Sequence, residues 1–250
     1  MRALLLSLLL LLVGVQLRAD AVADLKTRLG ALTGQEPVKA DARFTFWSKI
    51  GDDKKPVVQE ASIKLTAEDG PQGLHVAWSR DLIQLLAAEA LAKNRDPEKS
   101  TPTRRAMDEF GAATLARFLN AAPELLNNLN RATLVAEETD TWQGQPAQLL
   151  TFKLSPALSE RDRKLIKDVD DTAKIWVGAD GLPLAAHRTQ RLKGRAMLVV
   201  TFEFAFDEQS AYAQVGDRLV VVRRSEERNN SGAGEKGQQK TTAVLTVIER

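Results

Sequence analysis

Leu198-Val199-Val200-Thr201-Phe202-Glu203-Phe204-Ala205-Phe206 alternates without a break: Leu198, Val200, Phe202, Phe204 and Phe206 fall on one side of an extended chain, Thr201 and Glu203 on the other. Successive strand side chains point to opposite faces, so this is a strand with one apolar face. Such strands belong to antiparallel sheets covered on one side. The period of two continues outward, giving strands at 196–207, 213–223 and 241–249 and, upstream, at 183–192, 173–178, 147–154 and 132–139. Turns are expected at Gln143-Gly144, Asp180-Gly181, Lys193-Gly194 and Gly216-Asp217. Ser159 to Asp171 is a charged excursion with room for a short helix. Arg223 to Gln239, rich in glycine and charge, reads as a long mobile loop.

Nearer the N-terminus the same alternation sets Phe44, Phe46, Ser48 and Ile50 against Arg43, Thr45, Trp47 and Lys49, and Ala61, Ile63 and Leu65 against Glu60, Ser62 and Lys64. A third strand, Leu74 to Trp78, follows the turn at Glu68-Asp69-Gly70-Pro71. Residues 20–32 and 81–93 have helical spacing, as does 104–129, where Met107, Phe110, Leu115, Phe118, Leu125 and Leu129 recur at three- and four-residue steps and Pro123 is placed to kink or divide the segment. The expected architecture is α+β: a large curved antiparallel sheet, an open half-barrel, with helices covering its concave face. Residues 20–250 form one domain carrying a helical insertion at about 80–130.

The start of the chain carries a different signal. Met1-Arg2 is a short positive segment, Ala3 to Val15 a leucine-rich apolar run, and Leu17-Arg18-Ala19 or Ala21-Val22-Ala23 a small-residue end. The run is shorter than the roughly 20 apolar residues that span a bilayer, so residues 1–19 read as a cleaved signal peptide and the mature chain as periplasmic or secreted. Removing Arg2 and Arg18 leaves 33 basic residues against 33 acidic ones, which gives no whole-molecule field for nucleic acid. The chain has no cysteine, which excludes disulfides, thiolate metal sites and thiol nucleophiles.

Catalytic motifs are sparse. His75 and His187, the two histidines, sit on alternating strands and read as surface or rim residues. Asp168-Val169-Asp170-Asp171 lacks the sixth-position glycine and acidic twelfth position of a calcium loop and reads as a solvated cluster. Gly232-Ala233-Gly234-Glu235-Lys236-Gly237 matches G-x-G-x-x-G but precedes a β-branched strand, whereas a dinucleotide site needs a helix there. No catalytic residue, metal ligand or cofactor is expected, and the chain reads as non-enzymatic. The ligand-lining candidates are the inward aromatic and helix-stripe residues Phe44, Phe46, Trp78, Met107, Phe118, Leu125, Phe152, Phe202, Phe204 and Phe206. Alternation assigns them equally to a filled core or to the wall of a cavity.

Asp20-Ala21-Val22-Ala23-Asp24-Leu25-Lys26-Thr27-Arg28-Leu29, with Ala42-Arg43-Phe44-Thr45-Phe46, resembles the mature start of periplasmic outer-membrane lipoprotein carriers of the LolA type. Ile175-Trp176-Val177 through Asp180-Gly181-Leu182-Pro183-Leu184 is similar to a strand–turn–strand of that superfamily, as is the order of elements. The resemblance implies a LolA-like half-barrel whose helix-lidded concave face takes lipid or lipoprotein acyl chains, as a carrier or sensor. The alternative is a protein-interaction module of the cell envelope, with a filled core and envelope proteins as partners. Export makes the first testable statement: N-terminal sequencing of exported protein will find Asp20 or Asp24, and an intact Met1 on membrane-fixed protein would contradict it.

Overall fold

The computed structural model describes residues 21–52, 54–155, 158–196 and 200–249; the signal peptide expected at 1–19 lies outside them. The order of elements is α1 (21–31), β1 (Val38–Gly51), β2 (Val57–Gly70), β3 (Gly73–Trp78), α2 (Arg80–Arg95), α3 (Pro102–Glu109), α4 (Ala112–Leu119), α5 (Ala122–Leu129), β4 (Ala132–Trp142), β5 (Gln145–Leu154), α6 (Glu160–Leu165), β6 (Ile166–Val177), β7 (Pro183–Ala196), β8 (Val200–Val215), β9 (Arg218–Gly232) and β10 (Glu235–Glu249). The strands make one ten-stranded antiparallel sheet in the order β3-β2-β1-β10-β9-β8-β7-β6-β5-β4. Its ends do not meet, so the sheet is open, as the alternation predicts.

Chain neighbours pair along the whole sheet except at one seam, where β1 meets β10 and aligns Ala40 with Val247 and Gly51 with Lys236. Residues 79–131 connect the two edge strands, β3 and β4, and carry α2–α5. The core lies between the sheet and the helices, where Leu25 and Leu29 of α1, Phe110, and Leu115, Phe118 and Leu119 of α4 are buried with Phe44, Phe46, Ile63, Leu150 and Phe152.

The expected segment 104–129 is three eight-residue helices, interrupted at Phe110-Gly111 and at Asn120-Ala121. Pro123 does not kink a helix; it stands in the first turn of α5, where its missing N–H costs nothing. The mobile loop expected at Arg223–Gln239 is instead the β9–β10 hairpin, with Glu235 aligned to Gly232 across a two-residue turn. Ala233 (φ 54°) and Gly234 (φ 86°) both adopt the left-handed conformation such tight turns require. Polarity on both faces hid the strand, but its hydrogen-bonding partners β8 and β10 hold it. The G-x-G-x-x-G run is therefore a hairpin turn. Lys193-Gly194 is not a turn either: β7 continues to Ala196, and a Cβ on Gly194 would lie 2.1 Å from the Phe202 ring. The 159–171 excursion is α6 followed directly by β6. Asp168-Val169-Asp170-Asp171 lies in β6, not in a solvated cluster: Asp170 pairs outside with Lys153, while Asp171 is buried.

The N-terminal helix is tied down by the β8–β9 turn. The Asp217 carboxylate accepts from the Thr33 hydroxyl and from the backbone N–H of Gln35 (2.8 Å) and Glu36 (3.0 Å). Its own carbonyl accepts from Gly34 N–H at 3.0 Å. The next residue, Arg218, is 1% exposed; it donates to the Glu36 carbonyl (2.6 Å) and to Asp69 of β2 (2.7 Å). These hydrogen bonds, the Thr33 hydroxyl first, lower the Asp217 carboxyl from 3.8 to about 2. A depressed carboxylate stabilises the fold above its unfolded pKa, and that contribution is lost as pH falls through the folded value. Asp217→Asn will therefore be less stable than the parent in urea melts at neutral pH, and the difference will shrink between about pH 4 and about pH 2. A pH-independent difference would show that the charge has no part in the anchor.

Candidate functional site

Strand register divides the inner face into rows running across the sheet. The first is Ile63-Phe44-Ala243-Arg224-Ser210-Ala186-Ile175-Leu150, apolar but for Arg224 and Ser210. The second is Ala61-Phe46-Thr241-Glu226-Glu208-Arg188-Ala173-Phe152. The third, Gln59-Ser48-Gln239-Arg228-Phe206-Gln190-Asp171, is polar throughout except for one phenylalanine. Polarity thus rises along the strands, and the helices cover the apolar end.

Three arginines mark the boundary. Arg188 grips Asp171 with two hydrogen bonds, 2.9 Å from Nε and 2.7 Å from Nη2, and Gln190 donates to the same carboxylate at 2.7 Å. Asp171 has no side-chain exposure, and the hydrogen bonds to it, with its charge second, raise the Arg188 guanidinium further against the opposing effect of burial. Arg224 donates to Ser210 (3.0 Å), lies 3.5 Å from Glu208, and stands 4.6 Å over the Phe118 ring. Arg228 bridges Glu226 (2.6 Å) and Glu109 at the end of α3 (3.6 Å). Burial pushes the Glu226 carboxyl up against the opposing pull of Arg228, and burial takes the Tyr212 hydroxyl up to about 12.

The sequence candidates fall into five places. Phe44 stacks on Phe110 with ring centroids 4.6 Å apart, and Phe118 meets Phe110 edge-on at 5.4 Å. Phe46 is buried under Arg105, 5.4 Å from its ring. Leu125 and Phe152 line a small space of ≈ 80 Å³; a second, between Phe44, Phe110 and Phe118, is ≈ 90 Å³. Phe202, Phe204 and Phe206 stand outside the core cluster. Phe206 lies between two guanidiniums, Arg188 at 5.8 Å and Arg228 at 5.9 Å. Trp78 and Met107 line a separate groove.

The two spaces under the helices are far below the roughly 300–1,000 Å³ of small-molecule pockets. That region is a filled core. The larger space is the mainly apolar groove of ≈ 590 Å³ between β3 and helices α2–α4, walled by Leu74, Val76, Trp78, Leu86, Met107 and Leu115 together with the Arg104–Asp108 ion pair. It runs along β3, an edge strand paired only with β2 among the described residues. Trp78 stays 45% exposed there, and α2 beside it buries Leu82 while leaving Ile83 (53%) and Leu91 (58%) in solvent. Leu74, Val76 and Leu86 were missed by the candidate list, although Leu74, Val76 and Trp78 alternate and lead straight into an apolar helix. Arg224 and Arg228 were missed because β9 was read as a loop, which concealed that Arg224, Glu226 and Arg228 share a face.

No family model matches the chain, and no curated protein matches it. Among solved structures it is similar to a DUF1329 family protein from Desulfovibrio piger, at 11% identity over 89% of this chain and 90% of that one, with a TM-score of 0.30. It is also similar to MucB in complex with MucA(peri), at 11% identity over 90% and 94% of the two chains, with a TM-score of 0.21. At these values neither protein lends this chain a function.

The filled core and the open rows respond differently to truncation. Phe44→Ala, which empties a stacked and buried site, will cost about 3–5 kcal/mol, whereas Phe204→Ala, outside the core cluster, will cost about 1 kcal/mol. Denaturant melts of both variants measure this. Equal losses would mean that Phe204 is packed as tightly as Phe44.

Proposed function

We propose that this protein is an exported, non-enzymatic interaction module of the cell envelope that receives an extended apolar segment of a partner protein in the groove beside β3. The observation that carries the reading is the coincidence of an apolar groove of ≈ 590 Å³ with an edge strand. An extended peptide uses both features: its backbone pairs with the strand edge while alternate side chains enter the groove. Exposed edges are otherwise a liability that proteins blunt with charge or cover, and β3, Gly-Leu-His-Val-Ala-Trp, carries neither lysine nor proline. Export rests on the apolar N-terminal segment, and the lack of enzymatic activity on the thin catalytic inventory.

A second reading keeps the groove and changes the occupant. Its walls are apolar enough for a lipid or lipoprotein acyl chain, the ligand that a carrier or sensor of the LolA type would take. The two are separated by probe. An immobilised library of alternating apolar peptides and a fluorescent fatty-acyl probe are titrated against the parent and Trp78→Ala. Trp78 is exposed, so its loss will leave the melting temperature nearly unchanged. Peptide binding that falls at least tenfold in the variant supports the interaction module. Acyl binding without peptide binding transfers the groove to the carrier, and binding of neither removes both.

A further inference from the structure

The groove beside β3 adjoins the outer face of the sheet at its Trp78 end. Leu65 and Trp78 border both the groove and an open depression of ≈ 730 Å³, whose other walls include Ser79, Arg43 and Lys64. β3 stops at Trp78, where the chain turns into α2, and β2 before Leu65 pairs with β1 alone among the described residues. A segment lying along β3 and continuing past Trp78 is led onto the outer side of β2 and β1. Register sets Lys64-Arg43-Val244-Arg223 there in one row across β2, β1, β10 and β9. Ile63, Phe44, Ala243 and Arg224 face inward, so these four face outward, and the three cations are exposed.

Lys64 and Arg43 stand directly opposite each other, one interstrand step of about 4.8 Å, and Arg223 is two further steps away, about 10 Å. Like charges opposite each other across a sheet are destabilising. The other residues directly opposite Arg43 and Arg223 are Val244 and Ala211, neither of them acidic. None of the three cations makes an ion pair or a side-chain hydrogen bond among the described residues. Asp41 is the one carboxylate in the walls of the depression; it lies in the adjoining row and accepts the Thr66 hydroxyl at 2.7 Å. It can offset one cation of the three. Glu68, a row further on, pairs with Lys39 at 3.9 Å. On the other side the adjoining row, Ser62-Thr45-Thr242-Ser225, is hydroxyl throughout. Behind it stand Glu60, four residues and roughly 13 Å from Lys64 along β2, and Glu227, which is held by Lys240, Asn229 and Gln238.

We infer that the partner segment received beside β3 carries acidic residues next to its apolar stretch, and that Lys64, Arg43 and Arg223 bind their carboxylates on the outer face. The inference rests on the peptide reading of the groove. Carboxylates meet lysine and arginine through charge-assisted hydrogen bonds, bidentate ones in the case of arginine, and the adjoining hydroxyls can donate to the same oxygens. An anion between Lys64 and Arg43 also relieves their repulsion. The row is one cation deep, with Asp41 on one side and uncharged hydroxyls on the other, which suits a single extended chain better than a lipid surface. Charges at the rim of an apolar site select among partners more than they add affinity. The groove alone would accept any alternating apolar segment; the row restricts it to those with an acidic flank.

Three fluorescent peptides that share an alternating apolar core and differ in flanks of aspartate, serine or lysine test this by anisotropy titration at low salt. Exposed ion pairs are individually weak, so the parent will bind the aspartate-flanked peptide about fivefold tighter than the serine-flanked one, and the lysine-flanked one more weakly than either. The differences will shrink as salt is raised, because exposed charges are screened. In Arg43→Gln combined with Lys64→Gln the advantage of aspartate will fall below about twofold, while the serine-flanked peptide binds as it does to the parent. Lys174→Gln, an exposed cation of β6 on the same face, will leave the advantage intact. The double variant removes exposed like charges and will melt no lower than the parent. If the parent binds none of the three peptides, the groove reading fails and this inference with it. If it binds the serine-flanked peptide but aspartate brings no gain, or the gain persists in the double variant, the groove reading stands and the acidic flank is overturned. Sedimentation with phosphatidylcholine vesicles containing cardiolipin that is lost in the double variant, with no effect of the flanks, would give the row to anionic lipid and also overturn it.

Discussion

β3 and β4 are joined by a single connection yet form opposite edges of the sheet, so residues 79–131 have to cross the inner face from one side to the other. Ten strands at about 4.8 Å separate the edges by roughly 43 Å along the sheet. A single straight helix cannot follow a concave floor of that width. Three eight-residue helices, broken at Phe110-Gly111 and Asn120-Ala121, can turn with it. The path of this crossing decides which rows become core. Where it runs, Phe44, Phe46, Ile63, Leu150 and Phe152 are buried; beyond it the rows turn to Ser48, Gln239, Arg228 and Asp171. The groove at β3 lies where the crossing departs, and α2 has not yet reached the sheet with its full apolar surface.

At the margin of the covered region, guanidinium and carboxylate replace hydrocarbon. Buried ion pairs gain little net stability because desolvation offsets their attraction, but removing one partner leaves the other charged and dry. Asp171 is in that position: without exposure, it depends on Arg188 and Gln190. Arg224 and Arg228 lie across Phe118 and Phe206, so the aromatic faces are spent on cations. An acyl chain entering from the open side would have to displace these charges. The same arrangement makes the inner face an unsuitable lipid cavity even though its aromatic content suggests one.

Alternation made the sheet legible wherever one face is apolar and covered. Phe44, Phe46, Ile63 and Phe152 were read as inward-facing, and all four are buried. It failed in β9, where Ser225 to Ser231 is polar on both faces because the inward Glu226 and Arg228 pair with each other and with Glu109 of α3 rather than with apolar side chains; hydrogen bonds to β8 and β10 make it a strand, and those are non-local. Gly194 was misread for a related reason: its glycine accommodates the Phe202 ring, a tertiary demand that looks like a turn in one dimension. Trp78 was placed on the correct face, but that face continues past the cover and leaves the ring half exposed. The buried pairing of Asp171 could not be anticipated beside Asp168 and Asp170, because only the register of β6 against β7 shows which of the three points inward.

The β1–β10 seam also governs how the chain can reach this structure. All ten strands could begin pairing with a neighbour in sequence: β1–β3 as one meander, β4–β10 as another. Joining the two requires Ala40 to meet Val247, closing a loop that includes almost the whole chain. Loop closure grows only slowly in entropic cost with length, but contacts this distant in sequence slow the search for them. A chain synthesised from its N-terminus delivers β1–β3 first and the strand they need last. Until β10 emerges, Ala42, Phe44 and Phe46 have a sheet edge and no seam partner, and during that interval the N-terminal meander is open to mispairing and to any chaperone that recognises exposed strands.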